Sequence, residues 1–183
     1  MHGIIFVELK KFADQSFGAR TWDRLLSDAG LKMRVFVPFQ EYPDADAIAL
    51  VRAASALTGQ SADAVLQAFG EFIVPDLLAL YGSLLDARWK TLDVIEHTEQ
   101  TIHAVVRLRN PGARPPELRC ERPSLDEVVI HYASARRMCG VAKGIARGLA
   151  RHFGETVSIE EAACMHTGGR ECRISVRRQA RRA

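Results

Sequence analysis

Asn110-Pro111-Gly112 divides this chain into two parts built on different periods. Proline lacks the backbone N–H that a continuing helix needs, and the glycine after it favours a turn. Before the break, apolar residues recur at helical spacing. Ile4, Ile5, Leu9 and Phe12 form one such set, and Trp22, Leu25 and Leu26 another. Tyr42-Pro43-Asp44 reads as a turn into a helix carrying Ile48, Val51 and Leu57, with Gly59 as its stop. Ser61 is a good N-cap for the next helix, which carries Val65, Leu66, Phe69 and Phe72-Ile73. A helix from about Thr91 to Arg109 runs up to the break.

After the break the pattern shortens. Glu117–Glu121 and Glu127–Tyr132 read as a strand pair around Arg122-Pro123-Ser124. A helix is expected from about Arg136 to Phe153, stopped by Gly154. Thr156–Cys164 and Cys172–Arg177 read as a closing hairpin over Gly168-Gly169. A helical part followed by a small antiparallel sheet with an intervening helix is an α+β chain. Its 183 residues suit one domain, with a helical subdomain over about 1–60 and a second over about 61–183.

Charge and termini exclude several classes. The net charge is only +3, and Arg177, Arg178, Arg181 and Arg182 crowd the end. They read as a solvated, frayed tail or as a docking tail for an acidic partner. Without a basic patch elsewhere, nucleic acid is not an expected partner. The opening places its apolar run before its charges, the reverse of a signal peptide, and His2 fails the myristoylation pattern. No stretch is long enough to span a membrane, so no membrane association is expected. The expectation is a cytoplasmic protein with four reduced cysteines.

Of the six histidines, His103 has the most suggestive setting. Ile102, Val105, Val106 and Leu92 surround it on a helix, and an imidazole facing an apolar pocket suits haem iron. His97 competes, and periodicity does not choose between them. Tyr132, Ser134 and Arg136 alternate, so a strand end would put two hydroxyls and a guanidinium on one face. Such a set can hold paired carboxylates, since the arginine fork matches their geometry. Cys164, His166 and Cys172 flank the terminal turn. If the loop is Thr167-Gly168-Gly169, with Gly169 left-handed, Cys164 lies opposite Cys172 and His166 shares their face. With Cys139 this makes a tetrahedral zinc set, or else a group of buried thiols. Cys120 has no assigned role.

Three ordered motifs resemble the haem–nitric oxide/oxygen-binding (H-NOX) family. They are the opening Met1-His2-Gly3-Ile4-Ile5-Phe6, the segment from His103 to Gly112-Ala113-Arg114-Pro115-Pro116, and Tyr132-x-Ser134-x-Arg136. The resemblance covers nearly the whole chain and implies haem b between helices and sheet. It implies His103, rather than His97, as axial ligand, Tyr132, Ser134 and Arg136 on the propionates, and Pro115 pressing the macrocycle out of plane. Oxygen-binding members of the family carry a distal tyrosine nine residues after the clamp tyrosine, and Val141 stands there. Ile5, Leu9 and Val74 are apolar too, so nitric oxide is the expected gas, unless Tyr42 or Tyr81 reaches the pocket. The implied partner is a separate histidine kinase or cyclic-di-GMP enzyme. Two competing readings are a thiol–zinc redox switch with haem secondary, and a haem enzyme, which would want a distal acid–base pair.

Overall fold

The computed structural model describes residues 1–180. Helices α1 (Gly3–Phe17), α2 (Thr21–Asp28), α3 (Asp44–Thr58) and α4 (Ala62–Phe72) come first. Helix α5 (Val74–Tyr81) follows α4 almost without a break. Ser61 caps α4 as expected, its Oγ accepting from Ala64 N at 3.1 Å. Gly59 takes the left-handed conformation that stops α3, at φ 70°. Phe6, Phe12, Trp22, Leu50, Val65 and Phe69 bury together in one core.

The expected helix from Thr91 to Arg109 comes in three pieces. Helix α6 is Thr91–His97, a π turn covers Glu99–His103, and α7 is Ala104–Arg109. His103 N donates to Thr98 O at 3.0 Å, one residue further back than an α-helix allows.

The sheet is antiparallel, with strands β1 (Glu117–Ser124), β2 (Glu127–Ala133), β3 (Val157–Ala163) and β4 (Cys172–Arg178) in the order β1-β2-β4-β3. The first hairpin turns later than expected, at residues 125–126. Helix α8 (Cys139–His152) crosses one face. A second core of Val74, Leu92, Val128, Ile130, Ile174 and Val176 fills the space beneath it. Arg177 and Arg178 are not a frayed tail. They belong to β4 and pair with Glu127 at 3.1 Å and Asp126 at 2.5 Å. Arg181 and Arg182 lie outside the described residues.

Two local expectations are corrected. The closing hairpin does not turn over three residues. Its last pair is Ala163↔Arg173, and the connection contains a 3₁₀ turn, Met165–Thr167, with Gly168 rather than Gly169 left-handed. The strand also ends before the Tyr-x-Ser-x-Arg motif is complete. β2 stops at Ala133, Ser134 Oγ accepts from Arg136 N at 3.3 Å, and α8 starts three residues after Arg136. No single helix among the described residues is long and apolar enough to cross a membrane.

Candidate functional site

A cavity of about 730 Å³ opens between the two cores. Ile5 and Leu9 come to it from α1, Val74 from α5 and Val141 from α8. The Val141 position is fixed by close helix packing. A Cβ on Gly70 of α4 would overlap the Val141 backbone, so only glycine lets the helices approach this far.

His103 lines the same cavity from the end of the π turn. Its Nδ1 lies 2.9 Å from Glu99 Oε2. Glu99 also accepts from Arg107 Nη2 and, at 3.2 Å, from Leu118 N. Burial holds the His103 pKa below its ordinary value, although Glu99 pulls the other way. A neutral imidazole with Nδ1 bound to a carboxylate presents Nε2, the arrangement usual for a metal-ligating histidine. His97 faces elsewhere: its ring stacks on Trp89 at 4.5 Å and its Nδ1 lies 2.8 Å from Asp93 O.

Pro115, Tyr132 and Arg136 complete the cavity's polar end. Burial pushes the Tyr132 hydroxyl up to about 12, so it stays a neutral donor. Arg136 reaches Asp44 Oδ1 at 3.4 Å and donates to the Arg114 carbonyl, which ties the clamp to α3 and to the Pro115 turn. Ser134 stands between them on the bent chain beyond β2. Size, apolar walls, an imidazole held through Nδ1 by a carboxylate, and a cation with a hydroxyl at one end fit a haem. Tyr42 is unavailable as a pocket donor, because its hydroxyl accepts from Val37 N at 2.8 Å and lies 3.2 Å from Val35 O. Tyr81 does line the cavity. The apolar list from sequence also missed Glu8, a buried carboxyl of α1 on the same wall.

A second cluster lies under α8. Ligand atoms of Cys139, Glu161, Cys164 and Cys172 all fall within 4.8 Å of one another. Cys164 Sγ is 3.8 Å from Cys139 Sγ and 3.7 Å from Cys172 Sγ. Burial raises the Cys172 thiol to about 11. His166 is not a member. The longer turn carries it outward, and its Nε2 lies 2.7 Å from Arg137 O. Glu161 takes its place, re-aimed by the bulge between Glu161 and Ala163. One Glu161 oxygen meets Lys143 Nζ at 3.0 Å and the other, Oε1, is buried with no hydrogen-bond partner. Burial raises the Glu161 pKa, but hydrogen bonds from Lys143 and the thiols outweigh it, and the net shift is downward. No short-range sequence signal marks Glu161.

Comparison with known proteins agrees with this architecture. The family described as haem-NO-binding matches residues 2–161. An H-NOX protein from S. oneidensis, solved in its Fe(II)NO state, superposes with a TM-score of 0.90 at 26% identity, covering 98% of this chain and all of that one. An H-NOX mutant from K. algicida superposes at 0.89 with 24% identity, covering 99% of this chain and 98% of that one. Soluble guanylate cyclase 89Db of Drosophila melanogaster is 25% identical over 137 residues, 74% of this chain. The aligned region is 20% of that cyclase's length, so the likeness concerns one part of a larger protein.

Proposed function

Because the chain belongs to the haem-NO-binding family, a family of haem-based gas sensors rather than enzymes, we propose that it senses nitric oxide at ferrous haem and signals to a separate protein. The observation that carries this reading is His103 on the cavity wall, its Nδ1 held 2.9 Å from Glu99. Haem supplies the iron that takes the gas. His103 would hold the iron, and Tyr132, Ser134 and Arg136 would hold the propionates. Pro115 would be the stiff wedge against the macrocycle, since its φ cannot relax. Ile5, Leu9, Val74 and Val141 give the gas an apolar wall, which disfavours dioxygen because its partial charge gains from a donor. With haem bound, nitric oxide would act through release of His103, and the short π–α7 segment that carries it would pass the change to the surface seen by the partner. The partner class is a histidine kinase or a cyclic-di-GMP enzyme. The working unit is one sensor domain, a helical subdomain over about 1–60 set on a haem-ligand and clamp subdomain. All four cysteines are free, which fits a reducing cytoplasm.

The test is the absorption spectrum of the purified protein. The expected result is a Soret band that moves when nitric oxide meets the ferrous form, with no stable complex in air. His103→Gly should lose most haem and regain part of it with added imidazole. An unchanged ferrous spectrum in that variant would overturn the assignment and point to His97.

The sulfur cluster favours an additional role. Cys139, Cys164, Cys172 and Glu161 make a closed zinc set with thiol redox sensitivity, supported by ligand atoms that all lie within 4.8 Å of one another.

A further inference from the structure

Glu8 is a buried carboxyl on the cavity wall that a nitric oxide pocket does not need. It stands one turn along α1 from Ile4 and Ile5, lines the cavity, and is only 7% exposed. Lys11 Nζ meets its Oε1 at 2.8 Å and reaches Asp76 Oδ2 of α5 at 3.4 Å. Lys11 and Asp76 are half-exposed, so the group joins solvent to the cavity wall. From α4 the same cavity receives Leu66 and Phe69, which are apolar. Glu8 Oε2 is buried without a hydrogen-bond partner.

A buried carboxylate oxygen facing no donor is costly. Protonation removes that cost and turns the oxygen into a donor. Burial raises the Glu8 pKa, Lys11 lowers it and Asp76 raises it again, with a net rise.

We propose that Glu8 is a specificity-determining residue, whose carboxyl tunes the binding of polar gases in the cavity and makes it depend on pH. The inference rests on the haem reading above and deepens it. With its proton on, Glu8 offers the cavity a donor and favours polar ligands such as dioxygen. With the proton off, it presents negative charge and disfavours them. The effect is large for a single group because the cavity screens poorly.

The experiment is infrared spectroscopy of the ferrous carbon monoxide form across pH 5–8.5. A donor or positive potential near the ligand lowers the C–O stretch. The stretch should therefore rise with pH along a one-proton curve. Glu8→Gln should flatten that curve. Asp76→Asn should move the midpoint down, and Lys11→Met should move it up, with the fold untouched at these exposed positions. A normal Soret band with a stretch flat in pH, or a curve unchanged in Glu8→Gln, overturns the role of Glu8 alone. Absence of any Soret band overturns the haem reading beneath it.

Discussion

In the proposed reading, Val141 sets the gas preference through what it lacks: it lines the cavity with no hydrogen-bond donor. Its backbone is pressed against Gly70, so the side chain at this position has a fixed origin and direction into the cavity. Val141→Tyr keeps that origin and adds a hydroxyl. The expected outcome is measurable oxygen binding, strengthened about tenfold or more, since a hydrogen bond to a charged or polar ligand contributes about 1.5 kcal/mol. The measurement is oxygen titration of the ferrous protein. A parent that already forms a stable oxygen complex would remove the basis for nitric oxide selectivity. Tyr81→Phe tests the remaining native phenol on the cavity and should leave gas selectivity as it was. If Tyr81→Phe abolishes oxygen binding in the parent, Tyr81 is the donor and the apolar description of the wall fails. Tyr42 needs no such test, because its hydroxyl is already spent on the loop backbone.

The terminal hairpin is where metal and fold should meet. Strands β3 and β4 supply Glu161 and Cys172, the connection supplies Cys164, and α8 supplies Cys139. One zinc per chain is expected, with the hairpin losing thermal stability in Cys172→Ser because folding and metal binding are coupled at a closed site. Glu161→Ala should weaken metal retention, whereas His166→Ala should not. Equal zinc in parent and Cys172→Ser, or none in either, would leave the cluster as packed thiols. The contrast shows what a sequence can carry. Period and breakers placed most of the helices and strands, because those follow from local spacing, whereas the cavity-facing residues came from the resemblance to the family. Glu161, the π turn at Glu99–His103 and the outward His166 depend on a bulge, a single shifted backbone bond and the length of one connection. Periodicity averages over all three. The start of α6 offers a pH test at the same scale. Thr91 N donates to Glu155 Oε2 at 3.1 Å, and Arg178 lies 3.5 Å from Glu155. Burial raises the Glu155 pKa, but Thr91 and Arg178 outweigh it and leave it lowered. A carboxyl lowered in the folded state stabilises above its unfolded value, near 4.5, and that contribution is lost as pH falls through the folded value. Glu155→Gln should therefore cost about 1 kcal/mol at neutral pH and show a smaller loss of stability between pH 5 and 3, read by chemical denaturation.

The molecule holds its cavity open by letting two cores meet through one helix pair rather than merge. Ile145 of α8 packs against both cores, and α8 lies on α4 with glycines at Gly70, Gly140, Gly144 and Gly148 along the seam. A Cβ on Gly144 would run into the Gln67 carbonyl, and one on Gly148 would come within 2.9 Å of the Glu71 carbonyl oxygen. These are backbone atoms of a packed helix, so they do not yield as a flexible side chain would. The seam is also stitched at its edge by Lys143 to Asp63 at 3.0 Å and Arg151 to Glu71 at 2.6 Å. Gly144→Ala must push α4 and α8 apart, which overpacks the seam at a cost of about 1–3 kcal/mol. Because α8 carries both Val141 and Cys139, the same displacement should reach the cavity and the sulfur cluster together. Gly82→Ala is the control: that glycine has φ −58° and open space around its missing Cβ, so it should be neutral or slightly stabilising. Thermal denaturation, followed both by far-ultraviolet circular dichroism and by haem absorbance, separates the outcomes. A lowered midpoint shared by both signals in Gly144→Ala fits one seam that joins the two cores. A loss of haem signal with the backbone transition unmoved would mean that the cavity is held by the sheet and the π turn, with α4 and α8 free to slide.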